Sequence, residues 1–258
     1  MDAYAILAGG GVKGVALAGC LAAAEDRGIN FVGYGGTSAG SIVAMLGAVG
    51  YTGSEIRDLM SQESFTKFLD DEGVELDRLK GLVQLIFEDS RLKPFRVASK
   101  LFSERKLIRK LYSEAGLYNA SNLETFLRDK VNARYPRIGD RFKFSELYQA
   151  SEKVLKVVAA DIVARQTLTF SMNGHSATEL DFPVITAVRA SMSYPFVFKP
   201  VKMHNNYLSD GGISSNLPVF LFERERKSNN LPVLAFDLIV PPRQQAHLDY
   251  KLLKFSED

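Results

Sequence analysis

Apolar and polar positions change their period several times along this chain. Tyr4-Ala5-Ile6-Leu7-Ala8 is an unbroken apolar run ended by three glycines, which predicts a short buried strand. Val12 to Arg27 then carries small and apolar residues at helical spacing and closes on Gly28, so a helix is expected there. Phe31 to Gly35 is a second apolar run, Ser38 a turn, and Ala39 to Val49 a second helix. The order strand, helix, strand, helix predicts a parallel unit whose two strands lie side by side in one sheet.

From Thr52 to Ala150 the pattern becomes helical. Thr52 with Glu55 and Ser121 with Glu124 have capping-box spacing, and Leu76, Leu79, Leu82, Val83 and Ile86 recur at helical period. Residues rich in β-branched and aromatic side chains then return in Val154 to Ala160, Thr167 to Phe170, Phe196 to Val201 and Leu231 to Val240. The expectation is an α/β fold with a central, mostly parallel sheet, interrupted by a helical insertion over about 52–150 and then completed. No repeat or low-complexity linker breaks the chain, so residues 1–258 are expected to form a single domain.

Composition narrows this picture without redirecting it. The 46% hydrophobic content suits a full globular core. Cys20 is the single cysteine, which excludes a disulfide scaffold and allows a reducing compartment; within the small-residue run Val15 to Ala24 it is expected to be buried. No basic leader precedes the first strand, and no apolar run approaches the ~18 residues needed to span a bilayer. A soluble, cytoplasmic chain is therefore expected. The 32 basic and 30 acidic residues leave a net charge of +2, which gives no support to nucleic-acid binding.

The chemistry concentrates in two glycine-framed turns. Gly36-Thr37-Ser38-Ala39-Gly40 places a hydroxyl between two glycines at a strand-to-helix turn, where small neighbours let substrate and helix come close. The same pentapeptide also occurs as an ordinary turn. Gly9-Gly10-Gly11-Val12-Lys13-Gly14 follows the first strand and opens the first helix, so its backbone N–H groups can face an anion. A dinucleotide site would need an acid at the end of the second strand, where Tyr34-Gly35-Gly36 stands, and a P-loop would need lysine where Val15 stands. A third ligand reading is an oxyanion hole for an attack by Ser38, which requires the two loops to lie side by side.

A serine nucleophile needs a base. His175 and His204 lie in expected surface turns, and His247 in the polar tail. Asp210, before Gly211 and Gly212, reads equally as a turn former or as a base.

Taken together, these segments resemble the patatin-like phospholipase family. Gly9 to Gly14 is similar to its glycine-rich oxyanion loop, with Lys13 where arginine is commonest, and Gly36 to Gly40 to its nucleophile elbow. Ala190-Ser191-Met192-Ser193-Tyr194-Pro195 resembles its Ser-x-Ser-x-Pro block, and Asp210-Gly211-Gly212 with Asn216-Leu217-Pro218 its Asp-Gly-Gly/Ala block. The matches cover Ala3 to about Gly50 and Lys153 to Val240, in order; the helical region between them matches nothing. One departure is that the chain stops soon after Val240, where family members often continue with further helices.

The resemblance implies a three-layer α/β sandwich and a Ser38–Asp210 dyad, with no metal and no cofactor. Ser38 is then the nucleophile and Asp210 the general base and acid, and the loop from Gly9 to Gly14 holds the oxyanion. Because a carboxylate is a weak base, Asp210 is expected to be partly desolvated, with its basicity raised. Ser191, Ser193 and Pro195 are expected to shape the site rather than react. The implied activity is hydrolysis of fatty-acyl esters of glycerophospholipids, of phospholipase A or lysophospholipase type. A transacylase sharing the acyl-enzyme and a catalytically silent lipid-binding module are the other two classes.

The implied partner is a phospholipid membrane surface, met by peripheral association, in the cytoplasm or by a secreted effector. Arg91 to Lys110 carries eight basic residues against Glu104 alone, interleaved with apolar ones. That composition suits an anionic lipid surface, and it equally suits a helix that packs its leucines inward beneath a solvated basic face. An activating partner and the oligomeric state are left open by the sequence.

Overall fold

Strand β1 (Asp2–Leu7) is buried from Ala3 onward because parallel strands flank both its edges: β2 (Asn30–Thr37) on one side and β11 (Val233–Phe236) on the other. A strand covered on both faces has no solvent side, and its sequence is accordingly apolar without alternation. The computed structural model describes residues 1–11, 14–62, 65–70, 77–78, 103–139, 141–176 and 178–238.

The described sheet continues from β2 to β4 (Val154–Asp161), parallel, and then to β5 (Gln166–Ser171), antiparallel. The short strands β6 (His175–Ser176) and β7 (Glu179–Leu180) form its far edge, so His175 belongs to a strand rather than to the expected turn. The core β11-β1-β2-β4 is parallel throughout, and the chain has the three-layer α/β fold.

One strand enters differently. β10 (Asn206–Asp210) runs antiparallel to β4 and carries β9 (Val201–Met203) on its outer side. The expected single strand from Phe196 to Val201 is in fact two. β8 (Phe196–Phe198) pairs with β3 (Gly116–Tyr118) in a separate ladder, and the break falls at Lys199-Pro200. Pro200 has no N–H to give a ladder, and the Lys199 carbonyl is taken by the Arg189 side chain.

Helix α1 (Gly14–Glu25) is shorter than the expected span. It buries Gly14, Leu17, Ala18, Leu21 and Ala22, while Cys20 falls on the opposite side and is exposed, against expectation. Small-residue surroundings alone do not bury a position; helical phase does. Val12 and Lys13 lie outside the described residues.

Helix α2 (Ala39–Val49) is buried at every residue, packed on β1, β2 and β4. It ends at Gly50, whose φ of 101° lets its N–H and that of Tyr51 satisfy the last carbonyls of the helix.

Within the insertion, α3 (Gly53–Gln62) opens on the expected capping box. The Glu55 carboxylate accepts from Thr52 N–H at 2.8 Å, and Thr52 Oγ1 accepts from Glu55 N–H at 3.2 Å. The insertion also holds α4 (Arg105–Glu114), β3, α5 (Ser121–Arg134) and α6 (Phe144–Ser151), so it is not purely helical. The expected box at Ser121 does not form. Asp70 instead accepts from the N–H groups of Asn119 and Ser121, at 2.6 and 3.0 Å. Leu76, Leu79, Leu82, Val83 and Ile86 lie outside the described residues.

Leu117, Leu123, Leu127 and Val131 of the insertion share one hydrophobic cluster with β1, α2 and α7 (Val184–Ser191). The opposite face of the sheet holds a smaller cluster of Tyr4, Ile6, Val158, Leu221 and Phe222, with the Tyr4 and Phe222 rings stacked at 4.4 Å. Beside it Lys156 is buried against Glu225, of α8 (Glu223–Asn229), at 2.6 Å.

Candidate active site

The end of β2 and the end of β10 meet on one edge of β4. Thr37 pairs with Val158, and Asp210 pairs with Ala159, the next residue along. β2 runs parallel to β4 and β10 antiparallel, so the two strands approach head to head and both stop at the same point. The chain must turn there, and the residues at the two tips are Ser38 and Asp210.

Ser38 makes that turn at φ 52° and ψ −127°, a conformation that side chains other than glycine rarely adopt. Crowding enforces it. A Cβ on Gly36 would lie 2.3 Å from Gly40 O, and one on Gly40 would lie 2.3 Å from Leu7 O, so neither position accepts a side chain. The backbone closes this tightly only because both glycines of the pentapeptide are there.

Ser38 Oγ donates to Asp210 Oδ2 at 2.6 Å and also lies 3.8 Å from Met192 Sδ. Asp210 is 4% exposed. Burial pushes its carboxyl above the ordinary carboxylate range, partly offset by the Ser38 hydroxyl and by the Gly212 N–H, which donates to Oδ1 at 2.7 Å. Gly211 and Gly212 form the 3-10 turn that follows Asp210 and keep its second oxygen occupied.

One short segment at the end of α7 braces both residues. Ser191 Oγ accepts from Ser38 N–H at 2.9 Å, and Ser193 O accepts from Asp210 N–H at 3.0 Å and from Ser209 Oγ at 2.8 Å. Sequence reasoning assigned Ser191 and Ser193 a shaping role and missed the contact of Met192 with Ser38; an apolar side chain between two motif serines carries no signal of it.

The glycine loop lies against Ser38. A Cβ on Gly9 would stand 3.2 Å from Ser38 Cβ. Gly9 N–H donates to Asn216 O at 3.0 Å, and Asn216 Nδ2 returns a bond to Gly9 O at 3.4 Å, so Gly9 anchors the loop and does not offer its N–H. Gly10 and Gly11 N–H have no hydrogen-bond partner among the described residues. Gly11 takes φ 54°, which turns the backbone there as only glycine does readily. Gly14 begins α1 against Ala39, the first residue of α2, so two helix N-termini converge beside Ser38 and favour negative charge there.

Ser38 and Asp210 sit, buried, in a cleft of about 840 Å³ that Gly9 to Gly11, Met192, Tyr194 and Phe196 to Phe198 also line. A hydroxyl bonded to a desolvated carboxylate, beside unoccupied N–H donors and an apolar wall, can attack a carbonyl carbon and hold the resulting oxyanion. Histidine takes no part in the described geometry. The partners of Ser38 Oγ are Asp210 and Met192, and His204 is exposed in its turn at φ 53°. His247 and Arg91 to Phe102 lie outside the described residues.

Comparisons with known proteins bear on the family and the fold. The chain is 32% identical to the uncharacterized protein YqhO of Bacillus subtilis (strain 168), over 93% of this chain and 72% of that one. It is 24% identical to the probable lipid hydrolase 463L of Invertebrate iridescent virus 6, over 95% of this chain and 73% of that one. The crystal structure of VipD from Legionella pneumophila shares the fold with a TM-score of 0.54 at 22% identity. That likeness covers 96% of this chain but 53% of VipD, so the chain spans about half of VipD's length. The family model described as Patatin-like phospholipase matches residues 5–222, and the chain belongs to that family.

Proposed function

We propose that the chain is a lipid acyl hydrolase that cleaves fatty-acyl esters of glycerophospholipids through an acyl-enzyme on Ser38. The observation that carries this reading is the 2.6 Å bond from Ser38 Oγ to the buried Asp210 carboxylate in the apolar cleft. The family membership and the viral relative's description as a probable lipid hydrolase support the substrate class.

Ser38 Oγ bonds to the ester carbonyl carbon as its proton passes to Asp210 Oδ2. The carbonyl electron pair moves onto oxygen, and the N–H groups of Gly10 and Gly11 receive that charge. Collapse breaks the bond to the leaving alcohol, which takes the proton back from Asp210. Water then repeats the sequence on the acyl group, giving its proton to Asp210 and freeing fatty acid and Ser38. The raised basicity of Asp210 suits it to both steps, since a carboxylate of ordinary pKa accepts a hydroxyl proton poorly.

The test is incubation of the wild-type chain and Ser38→Ala with mixed phospholipids, followed by mass analysis of products. Fatty acid and lysophospholipid are expected from the wild type alone. Equal release from both proteins overturns the reading, and transfer of the acyl group to added lysolipid in place of water would make the enzyme a transacylase.

A further inference from the structure

The apolar wall of the cleft does not stop at its mouth. Tyr194 is 63% exposed, Phe196 62% and Ile213 55%, and all three also line the cleft that holds Ser38. Three large exposed apolar side chains thus gather at one opening, where a cluster of this kind marks an interaction site.

Phe196 adds a second observation. It is held at φ 66°, where an aromatic residue is strained, and its backbone is fixed from two sides. Phe196 pairs with Gly116 of β3, and the N–H groups of Val197 and Phe198 both donate to Tyr194 O, at 3.1 and 3.0 Å. The fold thus sustains backbone strain at a residue whose ring makes little core contact.

The third observation is a pair of exposed cations on the helix that leads into β3. Helix α4 ends two residues before Gly116, which stands one strand spacing, about 4.8 Å, from Phe196. α4 turns Leu107 inward, and its exposed side includes Lys106 and Arg109, three residues apart on one face. The Glu114 carboxylate at the end of α4 pairs with Lys199, just past β8, and ties the helix to the rim.

We infer that Tyr194, Phe196 and Ile213, with Lys106 and Arg109 of α4, form a docking face for an anionic lipid surface, which delivers an acyl chain directly into the cleft. The inference rests on the lipid reading of the same site. Apolar side chains flanked by cations are what an interfacial segment uses to enter the acyl boundary while meeting lipid phosphates. The rim's continuity with the cleft favours lipid over a protein partner, because a bound protein would close the entrance to Ser38.

The test is cosedimentation of the full chain carrying Ser38→Ala with vesicles of phosphatidylcholine, with and without phosphatidylglycerol. Binding is expected to be tighter on the anionic vesicles. Adding Phe196→Gly and Ile213→Ser should weaken it about tenfold or more, as apolar burial is lost. Lys106→Glu with Arg109→Glu should remove the anionic preference, at about fivefold per cation. Phe196→Gly alone relieves the positive φ, so its Tm should not fall, and weaker vesicle binding at unchanged Tm separates docking from folding. Absent vesicle binding, or binding indifferent to the rim substitutions, overturns the inference. Normal binding by a wild type that releases no fatty acid would instead count against the hydrolase reading and leave the docking face standing.

Discussion

Thr37 and Asp210 face consecutive residues of one strand, Val158 and Ala159, although they lie at opposite ends of the chain. Backbone register alone therefore sets the distance between the tips of β2 and β10, and the 2.6 Å bond from Ser38 to Asp210 follows from where two ladders stop. A slip of either strand by one residue would turn its tip side chain to the other face of the sheet, so the register of both ladders is a condition for the pair to meet.

Replacing Ser38 with alanine should abolish ester hydrolysis, and Asp210→Asn should lower kcat on the order of 10² to 10⁴-fold. If the two act as one unit, the double variant loses no more than Ser38→Ala alone. Steady-state rates on a fatty-acyl ester measure this. Additive losses would mean that Asp210 does not act through Ser38.

The raised pKa of Asp210 has two consequences of opposite sign. The acid limb of kcat/KM should lie above the ordinary carboxylate range, because the base is active only when ionised. Stability moves the other way. The folded chain holds the Asp210 proton to higher pH than the unfolded chain does, so this group's contribution is full below the unfolded pKa, about 3.9, and is lost as pH rises through the folded value. Asp210→Asn should therefore gain on the wild type in denaturant midpoint as pH rises through that window. A constant offset between the two proteins at all pH values would contradict the shift.

The parts of this site legible in the sequence are those where backbone geometry restricts residue type. Gly36 and Gly40 are demanded by contacts of 2.3 Å, and Gly11 by its positive φ, so they stand out as a pattern. Helix α2 was legible to its ends because a helix that is apolar or small throughout, with Ser41 its one polar residue, closes on Gly50. Contacts made through the fold left no such trace. Asp70, not Ser121, caps the approach to α5, and Asn216 takes the Gly9 N–H; both are polar residues doing what any nearby carboxylate or carbonyl could do. The split of β8 from β9 was illegible because it depends on β3, a three-residue strand inside a segment with helical patterning.

Ser191 should matter more than an inert serine. Its Oγ is the acceptor for the Ser38 N–H at 2.9 Å, fully buried, and alanine there leaves that donor unsatisfied. Ser191→Ala is expected to lower stability by about 1–3 kcal/mol and to reduce kcat, since the strained turn at Ser38 loses its brace. Threonine at 191 keeps the hydroxyl and should recover part of both. Denaturant titration and kinetics on the two variants test it; equal behaviour of alanine and threonine would remove the hydroxyl from the account.

Arg189 joins the insertion to the ground beneath the dyad. Its guanidinium is nearly buried; Nε and Nη2 donate to Asn119 O at 3.1 and 2.9 Å, and Nη1 donates to Ser193 Oγ at 2.6 Å and to Lys199 O. Ser193 in turn holds the Asp210 N–H, and Asn119 precedes α5 of the insertion, so one side chain adds the end of α7 to the two segments that the β3–β8 ladder already joins. Lysine keeps the charge but offers a single nitrogen in place of the planar fork. Arg189→Lys should therefore lose about 2–4 kcal/mol, because a buried charge is left with too few partners. For a chain of this size that corresponds to a fall in Tm of roughly 4–16 °C. The loss should be accompanied by a lower kcat, through Ser193 and Asp210, whereas a lysine variant with wild-type Tm and kcat would show that the three segments hold without the fork.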